Sequence, residues 1–449
     1  MQRMPPCRPH SFVLALLALL AAQPLRAQQG SSAPPAPPDR LSELERKLDI
    51  LTGEIERLKL GGAEEPLASI GQFGLAPAAS KIYQARTSHV AIGGYGELTY
   101  RNASSRRQNA DPSGLRHQAD LLRAVLYVGY RFSDRLLFNS ELEFEHAGSG
   151  EGSEVRGEVS VEQAYLDFRL WDPLGLRAGL VLVPLGLVNP SHEPTTFHGV
   201  RRPGVENDVI PSTWRENGVG LYGRAGLFAY QSYLVTGLSA RSTLNPATDG
   251  FTGARGIRGG RTEGSNSFAE DLAWASRIDV KTPGVLAGGS FYVGEADQGQ
   301  VASNVPVSVW DLHAALEFRG AMVRALYAEG AVGNADAVDA AQGFTDAARN
   351  TVGSRLFGGY VEAAFDLLSL CPKADGQALS PFFRYERYDT QLGTPGAFSK
   401  DPANSRVDYT AGVTYKPVTQ VAVKADYQWR RNQARTGINQ WNLGLGWIF

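Results

Sequence analysis

The chain has 449 residues, a formal net charge of −2, a tenth of its residues aromatic, 50 Gly and two Cys. That near-neutral balance carries no electrostatic footprint for a nucleic-acid partner, and two Cys exclude a disulfide framework. Beyond the first thirty residues no apolar run reaches the roughly 18–20 residues that a membrane-spanning helix needs, so any membrane crossing has to be made by strands.

In chain order, the first element is a secretory signal. Basic Arg3 and Arg8 precede an apolar run from Phe12 to Ala22, and Pro24, Arg26 and the small Ala27 close it, so residues 1–27 are expected to be removed and the rest exported. Losing Arg3, Arg8 and Arg26 takes the charge from −2 to −5, and Cys7 leaves too, so Cys371 has no partner in the mature chain. Residues 28–40 are rich in Pro and Ala and read as a solvated spacer. Over 41–60 the apolar residues Leu41, Leu44, Leu48, Leu51, Ile55 and Leu58 alternate spacings of three and four, which predicts a short coiled-coil helix; the other reading is an amphipathic helix packed within its own chain. Residues 61–87 read as a second linker.

From residue 88 onward the period changes from 3.5 to 2. In "RVDYTAGVTYK" the residues Val407, Tyr409, Ala411, Val413 and Tyr415 share one face and the polar residues the other. The same alternation sets Leu136, Phe138, Leu142 and Phe144 against Asn139, Glu141, Glu143 and Glu145, and sets Trp310, Leu312, Leu316 and Phe318 against Asp311, His313, Glu317 and Arg319. The apolar faces are studded with aromatics near strand ends, and short connections (132–134, 171–175, 319–321) alternate with long ones (102–116, 186–213, 241–267, 334–352). Together these predict an all-β fold, a sixteen-stranded antiparallel transmembrane β-barrel over 88–449, with strands starting near residues 89, 117, 135, 156, 175, 214, 226, 269, 284, 307, 321, 353, 379, 405, 420 and 438. Poor alternation over 227–238 leaves fourteen or eighteen strands as the competing counts. The final "QWNLGLGWIF" puts Trp441, Leu443, Leu445, Trp447 and Phe449 on the lipid side, and its terminal Phe resembles the signal by which the barrel-assembly machinery reads a closing strand.

Function in such a barrel lies in what narrows and charges its lumen. Pro184 to Gly223 is a long irregular stretch stiffened by Pro190, Pro194, Pro203 and Pro211, which argues for a folded-in constriction. It offers His192, Glu193, His198, Arg201, Arg202, Glu206 and Asp208 as pore-constriction residues; Arg201 and Arg202 either face solute or pair with Glu206 and Asp208. Strand parity assigns Arg123, Glu141, Glu143, Glu145, Arg177, Arg324, Arg384, Lys424 and Arg430 to the pore wall, and Arg319 with them. Acids and bases of both signs on that wall predict weak charge selectivity. No zinc-binding HExxH, GxSxG or phosphate-loop motif is present; His192 and His198, six apart in a Pro-containing loop, either bind a metal or serve as hydrogen-bonding wall residues, the commoner role of His in a polar constriction, so neither enzyme chemistry, nor a metal, nor a cofactor is expected.

Four stretches, "GGYGEL" (93–98), "EQAYLDFRL" (162–170), "RAGLVLVPLG" (177–186) and "HEPTTFHGVRRP…VIPSTWRENGVG" (192–220), resemble the phosphate-selective porin O and P family. The resemblance implies a homotrimeric channel in the bacterial outer membrane whose third loop folds into the pore, and some barrels of this kind carry an N-terminal coiled coil. The namesake channels are lysine-rich in the constriction, whereas this chain has 8 Lys against 36 Arg. The reading is therefore an outer-membrane porin for small hydrophilic or anionic solutes, in contact with outer-membrane lipid, its N-terminal segment in the periplasm and no nucleic acid among its partners. The alternative is a structural anchor whose coiled coil joins envelope partners.

Overall fold

The computed structural model describes residues 74–84, 89–147, 157–171, 173–241, 250–371, 376–396 and 398–449. The expected signal peptide, the Pro-rich spacer and the coiled-coil helix lie outside the described residues. Sixteen strands form one closed barrel. They are β1 (Val90–Ala103), β2 (Gln118–Arg131), β3 (Leu136–Glu145), β4 (Val159–Trp171), β5 (Leu174–Leu182), β6 (Arg215–Ala225), β7 (Phe228–Thr236) and β8 (Leu272–Thr282). The second half comprises β9 (Val285–Glu295), β10 (Pro306–Phe318), β11 (Ala321–Val332), β12 (Arg355–Phe365), β13 (Ala378–Gly393), β14 (Ser405–Val418), β15 (Val421–Asn432) and β16 (Gln440–Ile448). Each begins within three residues of its expected start, and the poorly alternating stretch 227–238 does form a strand, β7. Every neighbouring pair is antiparallel, and β16 closes on β1 with Gly96 opposite Trp447 and Leu98 opposite Leu445.

Closure leaves no unpaired edge, and the two faces then differ as the period-2 pattern requires. Phe318 (71 % exposed), Trp171 (62 %), Leu312 (60 %) and Trp441 (58 %) stand on the outside, whereas Asp311, His313, Asn442 and Asp426 between them are buried inside. An uninterrupted apolar belt of this kind on a water-facing surface would far exceed what monomeric soluble proteins expose.

The turns at one end are short. Between β10 and β11 two residues suffice, Arg319 (φ 49°) and Gly320 (φ 81°), both left-handed as a type I′ hairpin turn demands. Arg319 is therefore not a wall residue, as strand parity had it: the turn turns it out to the surface, with its guanidinium 5.0 Å from the Phe318 ring. The longer connections at the other end carry structure that the strand pattern does not announce, a hairpin of Gly250–Thr252 with Gly256–Gly259 and a helix over Ala335–Gln342.

Residues 74–84, the end of the stretch expected to be a linker, pack inside the barrel against β1, β2 and β3. Leu75, Ile82 and Tyr83 are buried with Tyr95, Val125, Tyr127 and Leu137. Gly129 makes the room: a Cβ there would lie 2.6 Å from the Ile82 Cβ. Hydrogen bonds fix the segment as well, from Asn139 Nδ2 to Ala79 O (2.9 Å) and from Tyr83 Oη to Asp167 Oδ2 (2.6 Å).

Candidate functional site

The β5–β6 connection, residues 183–214, folds into the lumen and is buried along most of its length. Asn189 ties its neck: Nδ2 donates to Val183 O (2.7 Å) and Trp214 O (3.1 Å), and Oδ1 accepts from Trp214 N (2.8 Å). Pro190 takes the second position of a single 3₁₀ turn there, Asn189–Ser191, and the Trp214 ring packs 4.7 Å from Tyr292.

From that neck the loop is held by charges on the barrel wall, its amides by acids and its carbonyls by bases. Asp311 Oδ2 accepts from Gly186 N (3.1 Å), Glu386 Oε2 from Gly204 N (2.6 Å) and Asp426 Oδ2 from Val200 N (2.6 Å). In return Arg277 donates to Gly186 O, Arg324 to Thr196 O (3.3 Å), Arg384 to His198 O (3.4 Å) and Arg201 O (3.1 Å), and Lys424 to Phe197 O (2.8 Å) and Gly199 O (2.9 Å). The Lys424 ammonium also lies 3.9 Å from the Phe197 ring centroid. On β16, Gly444 and Gly446 leave space for Val200 and Pro194, since added Cβ atoms would approach them to 3.1 and 2.6 Å. Two of these wall cations are in turn paired with acids, Arg324 with Glu362 (3.0 Å) and Arg384 with Glu362 (3.0 Å) and Glu386 (2.7 Å), while Lys424 is held by the loop carbonyls. Buried charges of this kind persist only when paired and hydrogen-bonded, and here the loop backbone supplies the remaining bonds.

The expected constriction residues divide into fasteners and a free group. Glu206 accepts from Leu187 N (2.7 Å), Val188 N (2.6 Å) and Tyr360 Oη (2.6 Å); burial pushes its carboxyl above the usual range. Asp208 pairs with Arg406 (2.8 Å). Glu193 accepts from the amides of Ala78 (3.1 Å) and Ala79 (3.0 Å), so it joins the loop to the N-terminal segment inside the lumen; burial, the largest influence, raises its carboxyl to about 7 against the pull of those amides. His198 stacks on Phe382 (5.6 Å) and meets Thr414 (3.2 Å); burial, then nearby Arg324, depresses its basicity. His192 Nδ1 lies 2.9 Å from Asn189 O, and its Nε2 lies 3.2 Å from Glu141 and 3.3 Å from Glu162. Burial works against a proton on that ring, but the two carboxylates outweigh it and raise the imidazole to about 10. Arg202 donates to His192 O (3.1 Å). Glu206 and Asp208 are thus engaged elsewhere, and Arg201 turns its guanidinium into open space.

That space is a cavity of about 400 Å³ beside the loop. Six Arg (101, 123, 201, 202, 258 and 430) and six acids (Glu97, Asp120, Glu145, Asp208, Glu386 and Asp408) line it, so neither sign of charge dominates. Among the wall residues, Arg123, Glu145 and Arg430 border this cavity. Glu141, Glu143, Arg177, Arg324, Arg384 and Lys424 face inward but are buried. Arg177, for example, bonds Asp167 (2.9 Å) with its guanidinium 4.1 Å from the Tyr222 ring centroid.

Several residues here escaped the strand-parity reading. Glu162 points inward because a bulge in the β3–β4 ladder, where Glu141 faces Gln163 and Leu142 faces Val161, leaves it as the extra residue. The adjacent polar pair Glu162-Gln163, which breaks the period of 2, is its trace in the sequence. Asn189, Tyr360 and Arg258 carry no such trace.

No family model matches the chain. A protein of Aquifex aeolicus (strain VF5), described as uncharacterized, is 35% identical over 380 residues, which are 84% of this chain and 83% of that protein. Among solved structures, OmpF of Salmonella typhi in complex with daunomycin aligns over 80% of this chain and 97% of its own at 11% identity, with a TM-score of 0.55. The outer membrane channel DcaP of Acinetobacter baumannii aligns over 80% and 97% at 13% identity, with a TM-score of 0.50. At such identities the likeness establishes the fold, a porin-type barrel.

Proposed function

We propose, for a chain that belongs to the same family as the Aquifex aeolicus protein and folds as a porin-type barrel, that it is an outer-membrane channel for the passive diffusion of small hydrophilic solutes. The observation that carries this reading is the division of the barrel: an apolar belt outside, and inside it a charged lumen crossed by residues 183–214 beside a cavity of about 400 Å³. Passage is governed by size at the loop and by a mixed field of Arg and acid side chains, so charge selectivity is weak; Arg201 supplies the uncommitted positive group. The likeness to the phosphate-selective porin O and P family supports a homotrimer, export through residues 1–27, and a coiled coil at 41–60 on the periplasmic side.

Planar-bilayer recording of the purified protein tests the channel. Stepwise currents are expected, and the reversal potential in a salt gradient should move toward cations when Arg201 and Arg202 are both replaced by Ala. A silent bilayer with a folded barrel would leave the anchor reading, which the lumen-filling loop and segment 74–84 favour. Deleting 42–60 tests the coil separately: a trimer of unchanged stability removes its role.

A further inference from the structure

Where the lumen loop meets β3 and β4, three ligand atoms converge on one point. The Nε2 of His192 stands 3.2 Å from Glu141 Oε1 and 3.3 Å from Glu162 Oε2, and one donor atom from each residue lies within 4.8 Å of the others. An ion with bonds of about 2.1 Å spaces adjacent ligand atoms roughly 3.0–3.4 Å apart, so His192 already stands at coordination spacing from both carboxylates. All three side chains are buried.

Their surroundings are those of a ligand set. His192 Nδ1 is engaged by a backbone carbonyl, Asn189 O, which leaves Nε2 as the ligating nitrogen. Tyr127 Oη donates to Glu141 Oε1 (3.1 Å), the oxygen nearest His192, and Arg215 donates to the far oxygen of Glu162, Oε1 (3.2 Å), so both carboxylates are held in place. The other oxygen of Glu141, Oε2, is buried without a hydrogen-bond partner, as is the hydroxyl of Tyr95, whose ring lies edge-on to His192 at 6.2 Å. Buried carboxylate oxygens left unsatisfied are costly, and a cation removes that cost.

We propose that Glu141, Glu162 and His192 form a binding site for a divalent first-row transition metal, which rivets the lumen loop to the barrel wall. One imidazole with two carboxylates suits Zn²⁺ or Mn²⁺ and disfavours the all-oxygen preference of Ca²⁺ and Mg²⁺. The site departs from the expectation of no metal because its ligands are brought together by the fold: His198, the nearest His in sequence, packs on Phe382 instead.

The test uses the full-length protein in detergent, without a polyhistidine tag, stripped with a chelator and titrated with Zn²⁺ alone. About one ion per chain is expected, with affinity at least tenfold weaker in Glu162→Gln and in His192→Asn. X-ray absorption of the zinc-loaded wild type should show one imidazole and carboxylate oxygens, a readout that needs no variant to fold. An absence of stoichiometric zinc, with a proton on His192 as the sole cation, overturns the proposal. So does binding that both substitutions leave unchanged, or a metal shell without imidazole. None of these results depends on channel conductance, so the proposal fails or stands apart from the porin reading.

Discussion

Two long connections on the same end of the barrel behave in opposite ways. Residues 104–117, between β1 and β2, stay largely exposed and bond chiefly to themselves: Arg107 N donates to Asp111 O (2.8 Å), and Arg106 to Ala110 O (3.0 Å). Residues 183–214 turn inward, and their amides and carbonyls end on wall residues far away in sequence. Both stretches are polar and irregular, so loop composition does not separate them. The difference lies in the wall, where Asp311, Arg384, Glu386, Lys424 and Asp426 offer complementary charges to the second loop's backbone, and in the glycines at 444 and 446 that give it room.

The sharpest way to break this contrast is Arg384→Ala. It strips Glu362 and Glu386 of a buried partner and two loop carbonyls of their donor, and should destabilise the folded barrel by about 3–5 kcal/mol. Arg106→Ala, in the exposed loop, should stay within about 0.5 kcal/mol. Equilibrium urea unfolding in detergent compares the two, and equal costs would remove the distinction. Lys424→Met keeps the stem but loses two charge-assisted bonds to carbonyls, which predicts a loss of about 2–3 kcal/mol and faster proteolysis near Phe197. Glu206→Gln replaces an acceptor of two amides and one hydroxyl by a group with a surplus donor, at a cost of about 1–3 kcal/mol, read in the same assay.

A smaller, local effect belongs to the β11–β12 connection. Asp339 accepts from Val352 N (2.7 Å), and burial, the larger influence, raises its carboxyl to about 6 against the pull of that amide. Its folded value exceeds the unfolded one, near 3.9, so the folded state takes up the proton first and local stability should rise as pH falls from about 7 to about 4. The protection factor at Val352, the exchange rate of an unstructured peptide at the same pH divided by the measured rate, should rise over that window by the equivalent of roughly 1 kcal/mol, and this rise should vanish in Asp339→Asn. A protection factor that falls with falling pH would contradict the sign.

Strand existence and facing were legible because side-chain alternation is a local property: Trp310, Leu312 and Phe318 report their exterior face within nine residues of chain. The loop was legible only as long and proline-stiffened. Its fastening was not, since Val200 and Asp426 lie 226 residues apart. Glu162 was hidden for another reason, because a bulge shifts parity by one and only the ladder register reveals it. Arg319 failed in the opposite sense, since the parity count ran past the strand end into a left-handed turn.

By itself the amino-acid sequence determined a closed antiparallel barrel with its apolar side outward, because strand period and turn chemistry are written in adjacent residues, whereas the count of sixteen, against fourteen or eighteen, came from the ladder in which β7 takes its place. Which charged side chains line open space and which are buried as fasteners was decided only by the tertiary structure. Arg201 and Arg384 look alike in sequence, yet one faces the cavity and the other is sealed beneath the loop. Burial of a charge depends on which distant partners close over it, and chain folding alone brings those partners together.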